Sequence, residues 1–183
     1  MTLISRVLGF VRDVVIARSF GTSLAADAFF IAFKIPNLFR RLFAEGAFSQ
    51  AFVPVLAEYR EKDGDPAVGD LIDATSGTLA IVLLAVVAIG VIAAPLVIAV
   101  FAPGFIQDTD KLGLATALLR FTFPYLFFIS LTALAGSILN TYGRFAVPAI
   151  TPVLLNVSLI FAAITLSPRL EQPVMALAIG VLV

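Results

Sequence analysis

Cysteine and histidine are both missing from this chain of 183 residues, and its acidic and basic residues are equal in number. The chain has no cysteine, which excludes disulfides, thiol catalysis and thiolate metal sites. It has no histidine, which removes the commonest metal ligand and the usual general base. Its 12 basic and 12 acidic residues leave no net positive charge for binding nucleic acid. We therefore expect no metal ion, no cofactor and no enzymatic activity.

Charged residues are also scarce, which indicates the class of protein. They make up 13% of the chain, whereas soluble domains average about 25%. Hydrophobic residues make up 61%, and the mean hydropathy is +1.08. The apolar runs are long and continuous, as in membrane-spanning helices, and lack the alternation of barrel strands. The sequence therefore predicts an all-α integral membrane protein without a cleavable signal peptide.

Breaks between the apolar runs predict about five complete transmembrane helices and part of a sixth. The predicted spans are residues 3–20, 24–59, 74–106, 112–139, 145–166 and, truncated, 174–183. Residues 60–73 are polar and are predicted to form a solvated loop. Asp70 or Asp73, and Asp108 or Asp110, precede apolar runs as helix N-caps do. The last run is shorter than the roughly 20 residues that cross a bilayer, so we expect the first part of a longer protein.

The first 45 residues carry nine charges within otherwise apolar sequence. An ionised group at the bilayer centre costs about 2.5–3.5 kcal/mol, so these groups should face a protein interior or a watery cavity. Six are cations and three are anions, which leaves a net charge of +3. Arginine presents a planar set of donors that suits phosphate or carboxylate. The pattern therefore predicts an electropositive cavity for a phosphate-bearing ligand. The nine residues are Arg6, Arg12, Asp13, Arg18, Asp27, Lys34, Arg40, Arg41 and Glu45.

Helical geometry places several of these charges in a seam along one face of the second span. Residues seven apart on a helix lie within about 40° of one another, and a residue four further on joins them. Arg40 points away from this seam, while Arg6 and Asp13 share a face of the first span. Structural ion pairs between the two helices are the alternative interpretation. The seam consists of Asp27, Lys34, Arg41 and Glu45.

Several motifs resemble the MurJ (MviN) family of lipid II flippases. The longest match includes FKIPNLFRR at residues 33–41 and FAEGAFSQAFVP at residues 43–54. SRVLGFVRD at residues 5–13 and DAFF at residues 27–30 precede it. Three shorter matches follow, and the resemblance covers nearly the whole chain. They are APGF at 102–105, FPY at 123–125 and LNT at 139–141.

The resemblance implies the N-terminal lobe of a MOP/MATE-like multi-helix transporter, in which two lobes surround a V-shaped cavity. The implied function is an alternating-access lipid II flippase. It would move the undecaprenyl-pyrophosphate-linked peptidoglycan precursor from the inner to the outer leaflet. A related MOP-type exporter of another lipid-linked oligosaccharide is the alternative, and a non-transporting membrane anchor is a further one.

The resemblance also implies which residues contact the substrate. The family's cavity arginines fall on Arg6, Arg12 and Arg40, and Asp13 and Asp27 match acidic cavity positions. The remaining candidates come from the charged seam. The complete candidate set is Arg6, Arg12, Asp13, Asp27, Lys34, Arg40, Arg41 and Glu45.

The expected location is the bacterial inner membrane, with several spans and a cytoplasmic N-terminus. The loops after spans two and four hold Arg60, Lys62 and Arg144, whereas those after spans three and five hold Lys111 and Arg169. This excess mildly favours a cytoplasmic start under the positive-inside rule. The expected partners are lipid II, membrane lipid, the C-terminal lobe of the same protein and cell-wall synthesis proteins, and nucleic acid is not expected.

Overall fold

In a computed structural model, the described residues form helices joined by short turns. These residues are 3–21, 23–41, 47–62 and 64–183, excluding the side chains of 47–50 and 65. No strand occurs within these ranges, and the prediction of an all-α chain is confirmed. The helices are α1 (Leu3–Phe20), α2 (Leu24–Arg40), α3 (Ala47–Lys62), α4 (Gly64–Ile92), α5 (Ala94–Phe101), α6 (Thr109–Thr122), α7 (Tyr125–Thr141), α8 (Ala146–Phe161) and α9 (Met175–Leu182). A π-helical turn (Ala162–Leu166) and a 3₁₀ turn (Ser167–Arg169) extend α8, and a second 3₁₀ turn (Pro103–Phe105) follows α5.

Local sequence explains where several helices begin and end. The chain leaves α1 through Gly21, whose φ of +58° suits glycine. The Ser23 hydroxyl then accepts a hydrogen bond from the Ala26 N–H at 3.2 Å and caps α2. Asp108 caps α6 in the same way, accepting from the Lys111 N–H at 3.1 Å. The capping prediction is confirmed at Asp108.

Prolines divide two of the predicted spans into shorter helices. Pro95 has no N–H to give to the Val91 carbonyl four residues earlier, and α4 and α5 separate at Ala93. Arg120 of α6 donates its Nε–H to that carbonyl at 3.3 Å, which satisfies an acceptor left without its helical donor. Pro124 similarly lies between α6 and α7. Two of the spans are therefore broken helices, and at the break near Ala93 a side chain of the neighbouring helix α6 satisfies the exposed carbonyl.

The predicted solvated loop at residues 60–73 is wrong, because α3 and α4 cover almost all of it. The two helices are separated near Gly64, whose φ is +78°. Val68 is only 2% exposed, so the first turns of α4 pack against the lobe. Helices α3 and α4 can extend beyond the apolar runs, because a helix that projects from the membrane keeps its charged side chains in water. Asp70 and Asp73 lie inside α4, so their prediction as N-caps is wrong.

The predicted segment 24–59 contains two helices, α2 and α3. Helix α2 continues through Pro36, and α3 likewise contains Pro54. Among all pairs of helices, α2 and α6 share the most extensive contact, and α1 and α8 share the next most extensive one. Phe29 and Ile35 of α2 are buried against the rest of the lobe. The charge-bearing helices α1 and α2 are therefore packed on the apolar helices that follow them.

Three stretches of the described residues are long and apolar enough to cross a membrane. They are Pro66–Ile92, Thr109–Thr141 and Ala146–Arg169. Large apolar side chains project from them, including Ile81 at 71% exposure and Leu154 at 63%. A water-soluble protein of this size would not expose so many, whereas a bilayer solvates them favourably. The outer surface of the lobe is thus suited to lipid.

Candidate functional site: an arginine-lined cavity

A cavity of about 900 Å³ lies between four helices of the lobe, α1, α2, α7 and α8. Its walls come from the first half of α1, the end of α2, the length of α7 and the first two thirds of α8. Successive spans run in opposite directions, so these parts all meet at one end of the lobe. That end holds the beginning of α1 and the turn between α7 and α8.

The cavity brings together charged residues that are up to 35 positions apart in the sequence. Four are arginines and one is an aspartate, so their formal charges sum to +3. Three come from α1, and the others lie at the end of α2 and directly after it. The arrangement collects guanidinium groups on adjoining walls of one space, where they can engage a multivalent anion. The five residues are Arg6, Arg12, Asp13, Arg40 and Arg41.

The guanidinium group of Arg12 is held by two side chains. Its Nε and Nη2 donate to Asp13 Oδ1 at 3.0 and 2.7 Å. Its Nη1 donates to Asn156 Oδ1 of α8 at 3.0 Å. Arginine carries five N–H groups, so this arrangement leaves one N–H on each terminal nitrogen for a ligand. Because the Arg12–Asp13 ion pair lies within α1, it does not lock α1 to α2.

Arg40 is oriented from within its own helix. Its Nε donates to Asn37 Oδ1 at 2.9 Å, one turn back along α2, and both residues line the cavity. Arg40 was predicted to point away from the charged seam, and it lines the cavity with Arg6 and Arg12. Arg6 and Arg41 are both exposed side chains in the cavity wall.

Two of the other candidates, Asp27 and Lys34, do not line this cavity. Asp27 is exposed on the first turn of α2, towards the opposite end of that helix. Lys34 lines a smaller cavity of about 270 Å³, together with Asn37, Arg41 and apolar side chains of α2 and α5. Glu45 lies outside the described residues. Of the charged seam, Lys34 therefore lines the smaller cavity, and Arg41 lies in the wall of both cavities.

The sequence prediction omitted several uncharged polar residues of the cavity wall. The most informative is Asn156, which is 5% exposed and bonded to Arg12. It lies within the apolar run 145–166, where an amide is costly unless it is hydrogen-bonded. An asparagine in this apolar run therefore indicates a hydrogen-bond partner on a neighbouring helix. Asn37, Tyr125 and Asn140 also line the cavity.

The lipid-facing exterior, the broken spans and the charged interior define the class of this protein. It is a multi-pass, all-α integral membrane protein, with the fold of the N-terminal lobe of a MOP/MATE-like transporter. Residues 16–183 match the family model described as lipid II flippase MurJ. The chain belongs to the lipid II flippase MurJ family, as its motifs had indicated.

Named relatives and a solved structure agree with this assignment. The chain is 54% identical over 188 residues to a probable lipid II flippase MurJ of Vibrio cholerae, covering 99% of this chain and 36% of that protein. It is 50% identical over 182 residues to lipid II flippase MurJ of Burkholderia cenocepacia, covering 100% and 35%. A structure titled "Lipid II flippase MurJ, inward closed conformation" matches with a TM-score of 0.74 at 31% identity, covering 97% of this chain and 38% of that one. The chain thus spans little more than a third of the length of these relatives.

Proposed function

We propose that the protein carrying this sequence is a lipid II flippase of the bacterial cytoplasmic membrane. It would move the undecaprenyl-pyrophosphate-linked peptidoglycan precursor from the inner to the outer leaflet. The names of its relatives support the substrate class. The observation that carries the proposal is the convergence of four arginines on one cavity inside a lipid-facing bundle.

The proposed role of these arginines is to hold the diphosphate of the substrate. A diphosphate has several anionic oxygens, and guanidinium groups engage such oxygens through paired, charge-assisted hydrogen bonds. Arg12 keeps two N–H groups for this purpose, while its other three N–H groups donate to Asp13 and Asn156. Arg6, Arg40 and Arg41 would supply the remaining positive charge. The lipid tail would stay in the bilayer, so that only the head group enters the cavity.

The distribution of surface charge supports a cavity that faces the cytoplasm. Arg60 Nη1 donates to the Thr141 carbonyl at 3.4 Å, and its guanidinium lies 4.6 Å from the centre of the Tyr142 ring. These contacts bring the end of α3 to the turn between α7 and α8, at the cavity end of the lobe. Lys62 and Arg144 belong to the same end. Under the positive-inside rule, we place this end and the N-terminus in the cytoplasm.

Transport by alternating access would require a second lobe opposite this one. The relatives are nearly three times as long as this chain, which leaves room for such a lobe. Breaks near Ala93 and Pro124 suit spans that bend as two lobes rock. We propose that Asp27, Lys34 and Glu45 contribute further along the substrate path. Membrane lipid and cell-wall synthesis proteins are proposed partners.

A rescue experiment tests this function. Bacteria depleted of their own lipid II flippase would receive the complete gene product that carries this sequence. The tested variants are Arg6→Ala, Arg12→Ala and Arg40→Ala, and each must reach the membrane at the wild-type level. Arg18→Ala is the matched control, because Arg18 is exposed on α1 and is not part of the cavity wall.

The proposal expects growth with the wild-type and Arg18→Ala proteins and loss of growth with the three cavity variants. Growth with all of the variants would refute the role of the arginines. No growth with a well-expressed wild-type protein would refute lipid II as the substrate and favour another lipid-linked oligosaccharide.

A further inference from the structure

We infer that Asn156 is the positioning residue that fixes the guanidinium group of Arg12 towards the cavity. This inference rests on the proposed function, and it goes further by naming a residue with no charge and no predicted role. Asn156 belongs to α8, whereas Arg12 belongs to α1, so their contact joins the two helices that form one side of the cavity.

The orientation of the Asn156 amide follows from its two partners. Its Oδ1 accepts from Arg12 Nη1 at 3.0 Å, and its Nδ2 donates to the Ser5 carbonyl oxygen at 3.2 Å. Arginine can only donate and a backbone carbonyl can only accept, so the opposite orientation of the amide would break both bonds. With a residue exposure of 5%, Asn156 has little access to water as a substitute partner. The amide is therefore committed to these two contacts.

Asp13 and Asn156 constrain Arg12 in different ways. Asp13 is the next residue on the same helix, and its side chain is 60% exposed. An ion pair to a largely exposed carboxylate restrains a long side chain only weakly. Asn156 is buried on another helix and engages the opposite terminal nitrogen, so the two contacts together set the plane of the guanidinium group. The neutral amide adds no negative charge beside Arg12, which already pairs with Asp13, whereas a carboxylate at position 156 would add a second.

A double-mutant cycle on ligand binding tests this inference. The complete gene product would be purified in detergent, and native mass spectrometry would give the Kd for a polyprenyl pyrophosphate probe. The cycle uses Asn156→Leu, Arg12→Ala and the double variant, with Asn156→Ala as a second variant in case leucine prevents folding. Val157→Ala is the matched control, because Val157 is the next residue on α8, is 47% exposed and does not line the cavity.

We expect Asn156→Leu to raise the Kd on the order of tenfold, which is typical for the loss of a hydrogen bond to a charged group. In the Arg12→Ala background the same change should alter the Kd less than twofold, because Asn156 acts through Arg12. The Val157→Ala control should bind like the wild type.

Two results would overturn the inference. If the Kd rises by the same factor with and without Arg12, the effects are independent and Asn156 is structural only. If neither Asn156 variant changes the Kd of a folded protein, Arg12 needs no such anchor. A wild-type protein that does not bind the probe would overturn the proposed function itself, and the positioning role with it.

Discussion

Replacing Gly90 with alanine should destabilise the lobe, because α4 meets Phe123 at this glycine without room for a methyl group. A Cβ on Gly90 would lie 2.2 Å from Phe123 Cε1 and 2.3 Å from Cζ. Carbon atoms pack best at about 3.5–4.0 Å, so the ring would have to move by about 1.3 Å or more. Phe123 is 2% exposed and its ring centroid lies 6.0 Å from that of Phe39, so the ring has little space to move.

The size of the effect follows from two opposing terms. Overpacking a core of this kind costs about 1–3 kcal/mol. Alanine in a helix recovers about 0.5–1 kcal/mol relative to glycine. We therefore expect Gly90→Ala to lose about 1–2 kcal/mol of stability. Gly77→Ala is the control, because Gly77 lies on the same helix with no atom near its would-be Cβ, and it should be neutral or stabilising.

The assay is the apparent melting temperature of the complete gene product in detergent, read as monodisperse protein by gel filtration after heating. All variants share one heating protocol, because membrane proteins often unfold irreversibly. Gly90→Ala should melt below the wild type, and Phe123→Leu added to it should restore part of the loss. A Gly90→Ala protein that melts at or above the wild-type temperature would refute this packing argument.

Three further predictions concern other contacts of the lobe. Arg120→Gln should lower the stability by about 1 kcal/mol in the same melting assay, because the Val91 carbonyl loses its donor. The loss should be much smaller in a Pro95→Ala background, because residue 95 then offers an N–H to the Val91 carbonyl. Asp108→Ala should cost about 1 kcal/mol through loss of the α6 cap, and Asp108→Asn should restore most of it; equal losses would contradict the cap. The Kd of a polyprenyl pyrophosphate should rise steeply with ionic strength, and a salt-independent Kd would contradict binding by the cationic wall.

The helical class and the membrane location follow directly from the sequence, because long apolar runs without alternation leave few other folds. The helix boundaries were harder to place. At residues 60–73, polarity predicted a loop, but a helix that projects into water tolerates charged residues as readily as a loop does. Gly64 is the local signal that two helices meet there. Pro95 and Pro124 were visible as breaks within spans, but the way Arg120 compensates one of them depends on tertiary packing.

The candidate site was predictable to the extent that charge in an apolar span demands a polar environment. That rule selected the four arginines that line the cavity, and it also selected Arg18, which does not line it. Helical angles alone do not show which neighbouring helix each charge faces, so the predicted seam joins Lys34, which lines the smaller cavity, to Asp27, which lines neither cavity. A criterion based on charge does not select Asn156, because its side-chain amide is neutral. A buried amide in a membrane span needs a partner for the same physical reason as a charge.

The most direct test of the central claim is the movement of lipid II across the bilayer of proteoliposomes containing the complete gene product. Fluorescent lipid II would be placed in one leaflet, and its appearance in the other would be followed with a membrane-impermeant quencher. We expect movement with the wild-type and Arg18→Ala proteins, and movement at the protein-free rate with Arg12→Ala and Arg40→Ala. Equal movement by all four proteins, or none by the wild type, would contradict this expectation.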